Sequence, residues 1–218
     1  MHLGSVHCPE GFALQDCGPR SFIAVGLASS MSMSPLGDYR DNPLPLQDTL
    51  LSLDLSPCPV TARRTSLLLR QSFNNVMRML ENIRRNDSTH IHWSVRSRTE
   101  TGPSLHLIRN LFRCKNIDND SYDNPYSSWP VDYNATPQWD YVLRRYDLNP
   151  VPVYDHQGSL CPPELWSSAL LGSLVRVHFG LRNVLTPSPI LVDHMPITAC
   201  TRAGIMHRVD ILDSSSIL

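Results

Sequence analysis

The stretch ALLGSLVRVHFGL, residues 169–181, constrains the fold of this chain more than any other part of the sequence. Apolar side chains alternate there with Arg and His, and the apolar set comprises Val175, Val177, Phe179 and Leu181. Because successive side chains of a strand point to opposite faces, this set would share one face. The other face would carry Leu174, Arg176, His178 and Arg182. The alternation predicts a strand with one face in a core and a basic face toward solvent or a ligand.

A short helix is predicted immediately before that strand, in CPPELWSSALLG. Pro163 suits a first helical turn, Glu164 complements the positive end of the helix dipole, and Gly172 is typical of the residue just past a helix end. Farther upstream, YVLRRYDLNPVPVYD predicts two extended pieces at a sheet edge, because Pro150 and Pro152 lack the amide donor of a strand ladder. Residues 141–212 are therefore predicted to be antiparallel and β-rich.

Residues 150–181 also carry a family resemblance. Their small and apolar residues resemble the closing part of uncharacterised multicopy proteins of mushroom-forming fungi. More distantly, they resemble the closing strands of OB-fold single-stranded DNA-binding proteins of tailed phages. The matching residues are Pro150, Pro152, Tyr154, Asp155, Gly158, Pro162, Pro163, Gly172, Leu174, Val175, Val177, Phe179 and Leu181.

The resemblance implies an OB-like barrel that binds single-stranded nucleic acid. It also implies a further strand after residue 181, for which MHRVDIL at 206–212 is the one remnant in the sequence. A degenerate last strand would leave the barrel incomplete.

Charge is distributed unevenly along the chain, although the formal net charge is −1 at pH 7. Residues 61–115 contain eleven Lys or Arg against three acids, whereas the regions on both sides are acidic. Lys115 is the sole lysine, so the basic charge is almost entirely guanidinium, which suits phosphate contacts. The distribution is compatible with nucleic-acid binding, and a bias toward Arg without functional meaning is the alternative.

Two helices and a strand are predicted in the central part of the chain. Leu69, Phe73, Val76, Leu80 and Ile83 recur at spacings of three and four, which predicts an amphipathic helix over about 66–85. HIHWSVRSRTE, residues 90–100, is predicted to be a strand, and PSLHLIRNLFRCK, residues 103–115, a short helix. The fold class is therefore α+β: one or two helices plus a small antiparallel sheet or incomplete OB-like barrel.

Composition divides the remainder of the chain. Residues 1–60 are rich in Gly, Pro, Ser and Asp without clear periodicity, and we expect a disordered N-terminal arm there, with a short strand or helical turn in TLLSLDLSP at 49–57. Residues 61–115 form a basic helical segment. Residues 116–140, rich in Asn, Asp, Tyr, Pro and Trp, form a loop or linker whose aromatic rings pack against a neighbouring surface.

No catalytic or metal signature stands out in the sequence. A glycine-framed nucleophile, a P-loop and a GxGxxG motif are all absent, and the six cysteines include no CxxC pair. The acids of 118–132 lack the Gly and Glu that a calcium loop requires, and His90 with His92 lacks a third ligand. We expect a non-enzymatic intracellular protein of the nucleus or cytoplasm, without cofactor, metal or membrane contact.

The preferred function is binding of single-stranded DNA or RNA. Phosphate contacts are assigned to Arg144, Arg145, Arg176 and Arg182, and base stacking to Trp139 and Tyr141. One alternative is a structural or protein-interaction module in which the aromatic segment 122–146 docks on a partner protein. Another is a degenerate gene product without function.

Overall fold

The computed structural model describes residues 21–36, 45–59, 64–86, 92–99, 102–115, 129–131, 136–192 and 195–212. Its strands are β1 (Ser21–Ser32), β2 (Leu50–Ser56), β3 (His92–Trp93), β4 (Arg96–Thr99), β5 (Gly102–Asn110), β6 (Phe112–Cys114), β7 (Tyr146–Leu148), β8 (Val153–Tyr154), β9 (Leu174–Val192) and β10 (Met195–Ile211). Its α-helices are α1 (Arg64–Asn86), α2 (Thr136–Leu143) and α3 (Trp166–Leu170), with short 3-10 helices at Leu46–Asp48 and Pro163–Leu165.

Five strands close into a ring in the order β1, β2, β5, β10, β9 and back to β1. Neighbours around the ring are antiparallel except β5 and β10, which run parallel where Gly204 lies opposite Leu107 and Ile205 opposite Ile108. β3, β4 and β8 add to its edges, and β6 pairs with β7 in a separate two-stranded sheet. The fold is therefore α+β with an OB-like barrel, as the sequence predicted.

The barrel interior is filled by the alternate apolar residues of its strands. Phe22 of β1 stacks on Phe179 of β9 with ring centroids 5.3 Å apart. The buried set also includes Ala24, Ala28, Leu51, Leu53, Leu55, Leu105, Leu107, Val175, Val177, Met206 and Val209. The alternation of β9 predicted its buried face correctly, because this strand has hydrogen-bonded neighbours on both sides and one face against the core.

Helix α1 confirms the amphipathic prediction and packs against β1. Phe73 and Leu80 of the predicted stripe are buried, whereas Arg70 and Arg78 on the opposite side are exposed. The short helix before β9 is also confirmed, and Gly172 follows it with φ +77°. Of the strand predicted over residues 90–100, the structure describes residues 92–99, which contain two short strands, β3 and β4.

Residues 103–115 are a correction to the sequence analysis, because they form β5 and β6 rather than a helix. The apolar residues of this segment fit both periods: Leu105, Ile108 and Phe112 fit a helix, whereas Leu105 and Leu107 fit a strand. Backbone pairing with β2, β4 and β10 decides between them, and a single sequence does not reveal that pairing.

The expected arm over residues 1–60 also requires correction. Residues 21–32 form β1 of the barrel, and the short strand expected within 49–57 is β2, also in the barrel. Residues 1–20, 37–44 and 60 lie outside the described residues. The alternation in FIAVGLA is hard to detect because its outward positions carry Ile, Val and Leu rather than polar residues. A second short helix, α2, lies in the region predicted as a loop followed by extended pieces.

The last strand is present, and the barrel closes. β10 includes all of MHRVDIL except its last residue, and it pairs with β9 from Met195↔Val192 to Ile211↔Val175, with two register shifts. The remnant recognised in the sequence is therefore the C-terminal part of a long strand.

Candidate nucleic-acid interface

The outer face of β8, β9 and β10 gathers basic and aromatic side chains. The strand register places Arg176 of β9 opposite Asp210 of β10, and His178 opposite Arg208. Tyr154 of β8 lies on the other side of Asp210. We call Tyr154, Arg176, His178, Arg208 and Asp210 the β9–β10 cluster. Its members share one face because each occupies an outward-facing position along its strand.

Asp210 joins the two arginines of the β9–β10 cluster. Arg176 Nε donates to Asp210 Oδ2 at 3.0 Å, and Arg208 Nε donates to Asp210 Oδ1 at 2.7 Å. His178 Nε2 lies 3.6 Å from Asp210 Oδ2. The Asp210 side chain is 7% exposed, whereas those of Arg176 and Arg208 are each 45% exposed, so the carboxylate lies beneath two guanidinium groups that reach solvent.

These contacts keep Asp210 ionised. Burial alone would raise the pKa of Asp210, but hydrogen bonds from Arg208 and Arg176, together with their charges, lower it below the ordinary value of 3.8. At neutral pH the two arginines and the carboxylate therefore leave one net positive charge on this face.

Tyr154 also contacts Arg208. The Arg208 guanidinium carbon lies 4.1 Å from the centroid of the Tyr154 ring, which is the geometry of a cation–π contact. Arg208 is thus held by both a carboxylate and an aromatic ring.

Positive charge continues beyond the cluster, toward the middle of β9 and β10. His207 has its pKa lowered from the ordinary value by partial desolvation and by the neighbouring charges of Arg109, Arg182 and His178. Arg109 itself donates to the Asn149 carbonyl oxygen at 3.0 Å and to the Met206 carbonyl oxygen at 2.8 Å. The lowered pKa of His207 therefore reflects its partial burial together with the positive charges around it.

The remaining basic candidates lie elsewhere, at the C-terminal end of α2. Arg144 and Arg145 are exposed, and Tyr141 is 54% exposed. The Arg145 guanidinium lies 4.6 Å from the centre of the Tyr141 ring and donates to its hydroxyl. The predicted site residues thus fall into two groups, with Arg176 and Arg182 on β9 and the other exposed ones on α2 or just after it.

Trp139 is placed differently, in the interior. It is 6% exposed, and its ring lies between Phe112, at a centroid distance of 5.3 Å, and Trp129, at 6.4 Å. Trp129 also packs edge-on against Trp166 and donates its indole N–H to the Pro35 carbonyl oxygen at 2.8 Å. A base could stack on Trp139 only if these rings separated. Trp129 and Trp139 are also aromatic residues through which segment 122–146 would dock on a partner protein, and here they pack against each other and against the core.

Sequence reasoning missed Tyr154, Arg208 and Asp210. All three were visible, Tyr154 in the resemblance phrase and the other two in MHRVDIL, but their meeting with Arg176 depends on long-range pairing. Alternation along MHRVDIL places Arg208 and Asp210 on one face, which was the available signal.

Within the described ranges, no group of three or more His, Cys, Asp and Glu side chains could hold a metal ion. None of the helices in the described part of the chain combines the length and the apolar character that a membrane crossing needs.

No family model and no curated protein matches the chain. Among solved structures, the crystal structure of gp2.5, a single-stranded DNA-binding protein encoded by bacteriophage T7, aligns over 92% of this chain and 97% of its own, with a TM-score of 0.44 and 11% identity. The single-stranded DNA-binding protein of bacteriophage Enc34, truncated at its C-terminus, aligns over 92% and 95%, with a TM-score of 0.39 and 8% identity.

Proposed function

We propose that this protein binds single-stranded nucleic acid along the outer face of β8, β9 and β10. The observation that carries the proposal is the β9–β10 cluster, in which two half-exposed arginines and a histidine lie side by side on adjacent strands. Phosphate groups along a flexible strand are the ligands that such a row of positive groups attracts. Arg182, four residues beyond His178 and in phase with its alternation, would extend the row.

Apolar contact for the bases is available beside this row. Ile23 of β1 lies opposite His178 in the strand register and is 50% exposed, and Val25 lies opposite Arg176. A single strand presents both phosphates and unpaired bases, so a surface that combines guanidinium groups with an apolar border suits it better than it suits a duplex.

The α2 group supplies a second contact in this proposal. Arg144 and Arg145 would meet phosphates, and the exposed ring of Tyr141 would stack on a base. Stacking is assigned to Tyr141 alone, since the ring of Trp139 is covered within the protein.

The test is a fluorescence anisotropy titration of the full chain with labelled oligo(dT) of about 20 nucleotides, which exceeds the roughly 4–16 nucleotides that one OB-fold covers. Binding should weaken steeply with salt, and an unlabelled duplex of equal length should compete poorly. The double variant R176A/R208A should bind at least about tenfold more weakly, and its salt slope should fall by roughly 0.7 for each phosphate that the two arginines neutralise.

A matched control is available on α1. Arg70 and Arg78 are exposed on this helix, so R70A/R78A removes the same charge from another surface. The proposal predicts near wild-type affinity for that control and weaker binding for R144E/R145E. Absence of binding at low salt, or affinity that does not respond to salt, would overturn it. Equal weakening in R70A/R78A and R176A/R208A would assign binding to overall charge rather than to this face.

A further inference from the structure

The hydrogen bonds within the β9–β10 cluster use one edge of each guanidinium group. Both arginines donate to Asp210 through Nε, each to a different carboxylate oxygen. The two Nη groups of each arginine carry most of its N–H donors, and they belong to side chains that are 45% exposed. The buried carboxylate of Asp210 therefore binds both guanidinium groups through their Nε atoms.

Several contacts fix the side chains of Arg176 and Arg208 although both reach solvent. Asp210 lies opposite Arg176 in the strand ladder, and Arg208 is two residues before Asp210 on the same face. Tyr154 covers the Arg208 guanidinium at 4.1 Å. A long arginine side chain ordinarily loses rotamer freedom when it binds a ligand, and that cost is smaller when the protein already fixes it.

We infer that Asp210 is a positioning residue, which fixes Arg176 and Arg208 as a two-armed site for one phosphate of the nucleic-acid backbone. This inference rests on the proposed function and specifies one contact within it. Planar guanidinium forks recognise phosphate oxygens in bidentate fashion, and two forks held side by side can share a single phosphate group.

The direction in which one substitution changes the affinity for nucleic acid distinguishes a positioning role from simple charge attraction. Asp210→Asn removes a negative charge from the binding face, so attraction between overall charges would make nucleic-acid binding tighter. The positioning role predicts the opposite, because an amide offers one acceptor oxygen where the carboxylate offers two, and one arginine would lose its hydrogen bond.

The experiment is an anisotropy titration of full-length D210N with labelled oligo(dT) at fixed low salt. We expect about fivefold or greater weakening, which is typical of one misplaced charge-assisted hydrogen bond. E164Q is the control, because Glu164 is an exposed carboxylate in the 3-10 helix Pro163–Leu165, outside both proposed contact groups, and its removal changes the charge equally. E164Q should bind as tightly as the wild type or slightly more tightly.

A second set of variants keeps the charge and removes the fork. R176K and R208K should each weaken oligo(dT) binding, since an ammonium group cannot hold both Asp210 and a phosphate in the same geometry. In the D210N background R176K should weaken binding little further, because the positioning it would disrupt is already gone. A thermal melt of each variant identifies the temperature range in which it is folded, and the titrations are made there.

The outcomes separate this inference from the proposed function. Wild-type binding that depends on salt, together with D210N affinity equal to or tighter than that of the wild type, would overturn the positioning role and leave the function standing. Fully additive effects of D210N and R176K on affinity would also overturn it. If the wild type does not bind oligo(dT), the proposed function itself fails.

Discussion

Gly204 controls how closely the two parallel strands of the barrel approach. It lies opposite Leu107 where β10 meets β5, and a Cβ at this position would lie 2.6 Å from Leu107 Cδ2 and 2.8 Å from Val95 Cγ2. Both neighbours are fully buried, so they have little room to move. Any side chain at this position would force the buried Leu107 and Val95 side chains, or the strands that carry them, to shift where the ring closes.

Gly204→Ala should therefore destabilise the protein by about 1–3 kcal/mol, the usual cost of overpacking a core. Chemical denaturation followed by circular dichroism measures the change in the free energy of unfolding. Ser30→Ala is the control, because Ser30 is exposed on β1 and surface substitutions usually change stability by less than about 0.5 kcal/mol. Equal stability of Gly204→Ala and the wild type would contradict the close approach.

The elements differ in how far sequence alone could define them. β9, α1 and α3 were predictable because each carries one unambiguous period or clear end signals. β5 was not, because its apolar residues satisfy two periods and its partners are distant in sequence. The same distinction holds for the site: alternation in β9 identified Arg176, whereas its hydrogen bond with Asp210 required the pairing of residues 34 positions apart.

The ion pairs across β9 and β10 give this part of the sheet a defined dependence on pH. The pKa of Asp210 is lowered in the folded protein, so the unfolded chain binds its proton more readily. The stability that this carboxylate contributes is fully present above its ordinary pKa of 3.8 and is lost as the pH falls through the folded value.

The difference in unfolding free energy between wild type and D210N should accordingly shrink as the pH is lowered from about 6 to about 3. Urea titrations at several pH values measure it, and D140N controls for the removal of a carboxylate outside the network. A difference that is constant over this range, or that grows toward low pH, would show that the ionised form of Asp210 does not support the two strands.

At the scale of the whole molecule, β10 connects most of the structure. It pairs with β9 along its length and with β3, β5 and β8 over shorter stretches, so the ring cannot close without it. It also carries Arg208 and Asp210, which makes closure of the barrel and assembly of the candidate site parts of one event. A degenerate gene product need not fold cooperatively, so cooperative unfolding of the full chain distinguishes that alternative from a folded binding protein.

Two chains compared in one experiment test that view. The full chain should unfold in a single cooperative transition, with circular dichroism and tryptophan fluorescence giving the same midpoint, because the Trp129–Trp139–Trp166 cluster packs on the same core as the barrel. A chain ending at residue 194 lacks β10, the strand that closes the ring by pairing with β5 on one side and β9 on the other. It should therefore show no cooperative transition and no salt-dependent binding of oligo(dT). Cooperative unfolding of the shortened chain would mean that the remaining strands form a stable unit without closure, and the absence of a transition in the full chain would favour the degenerate product.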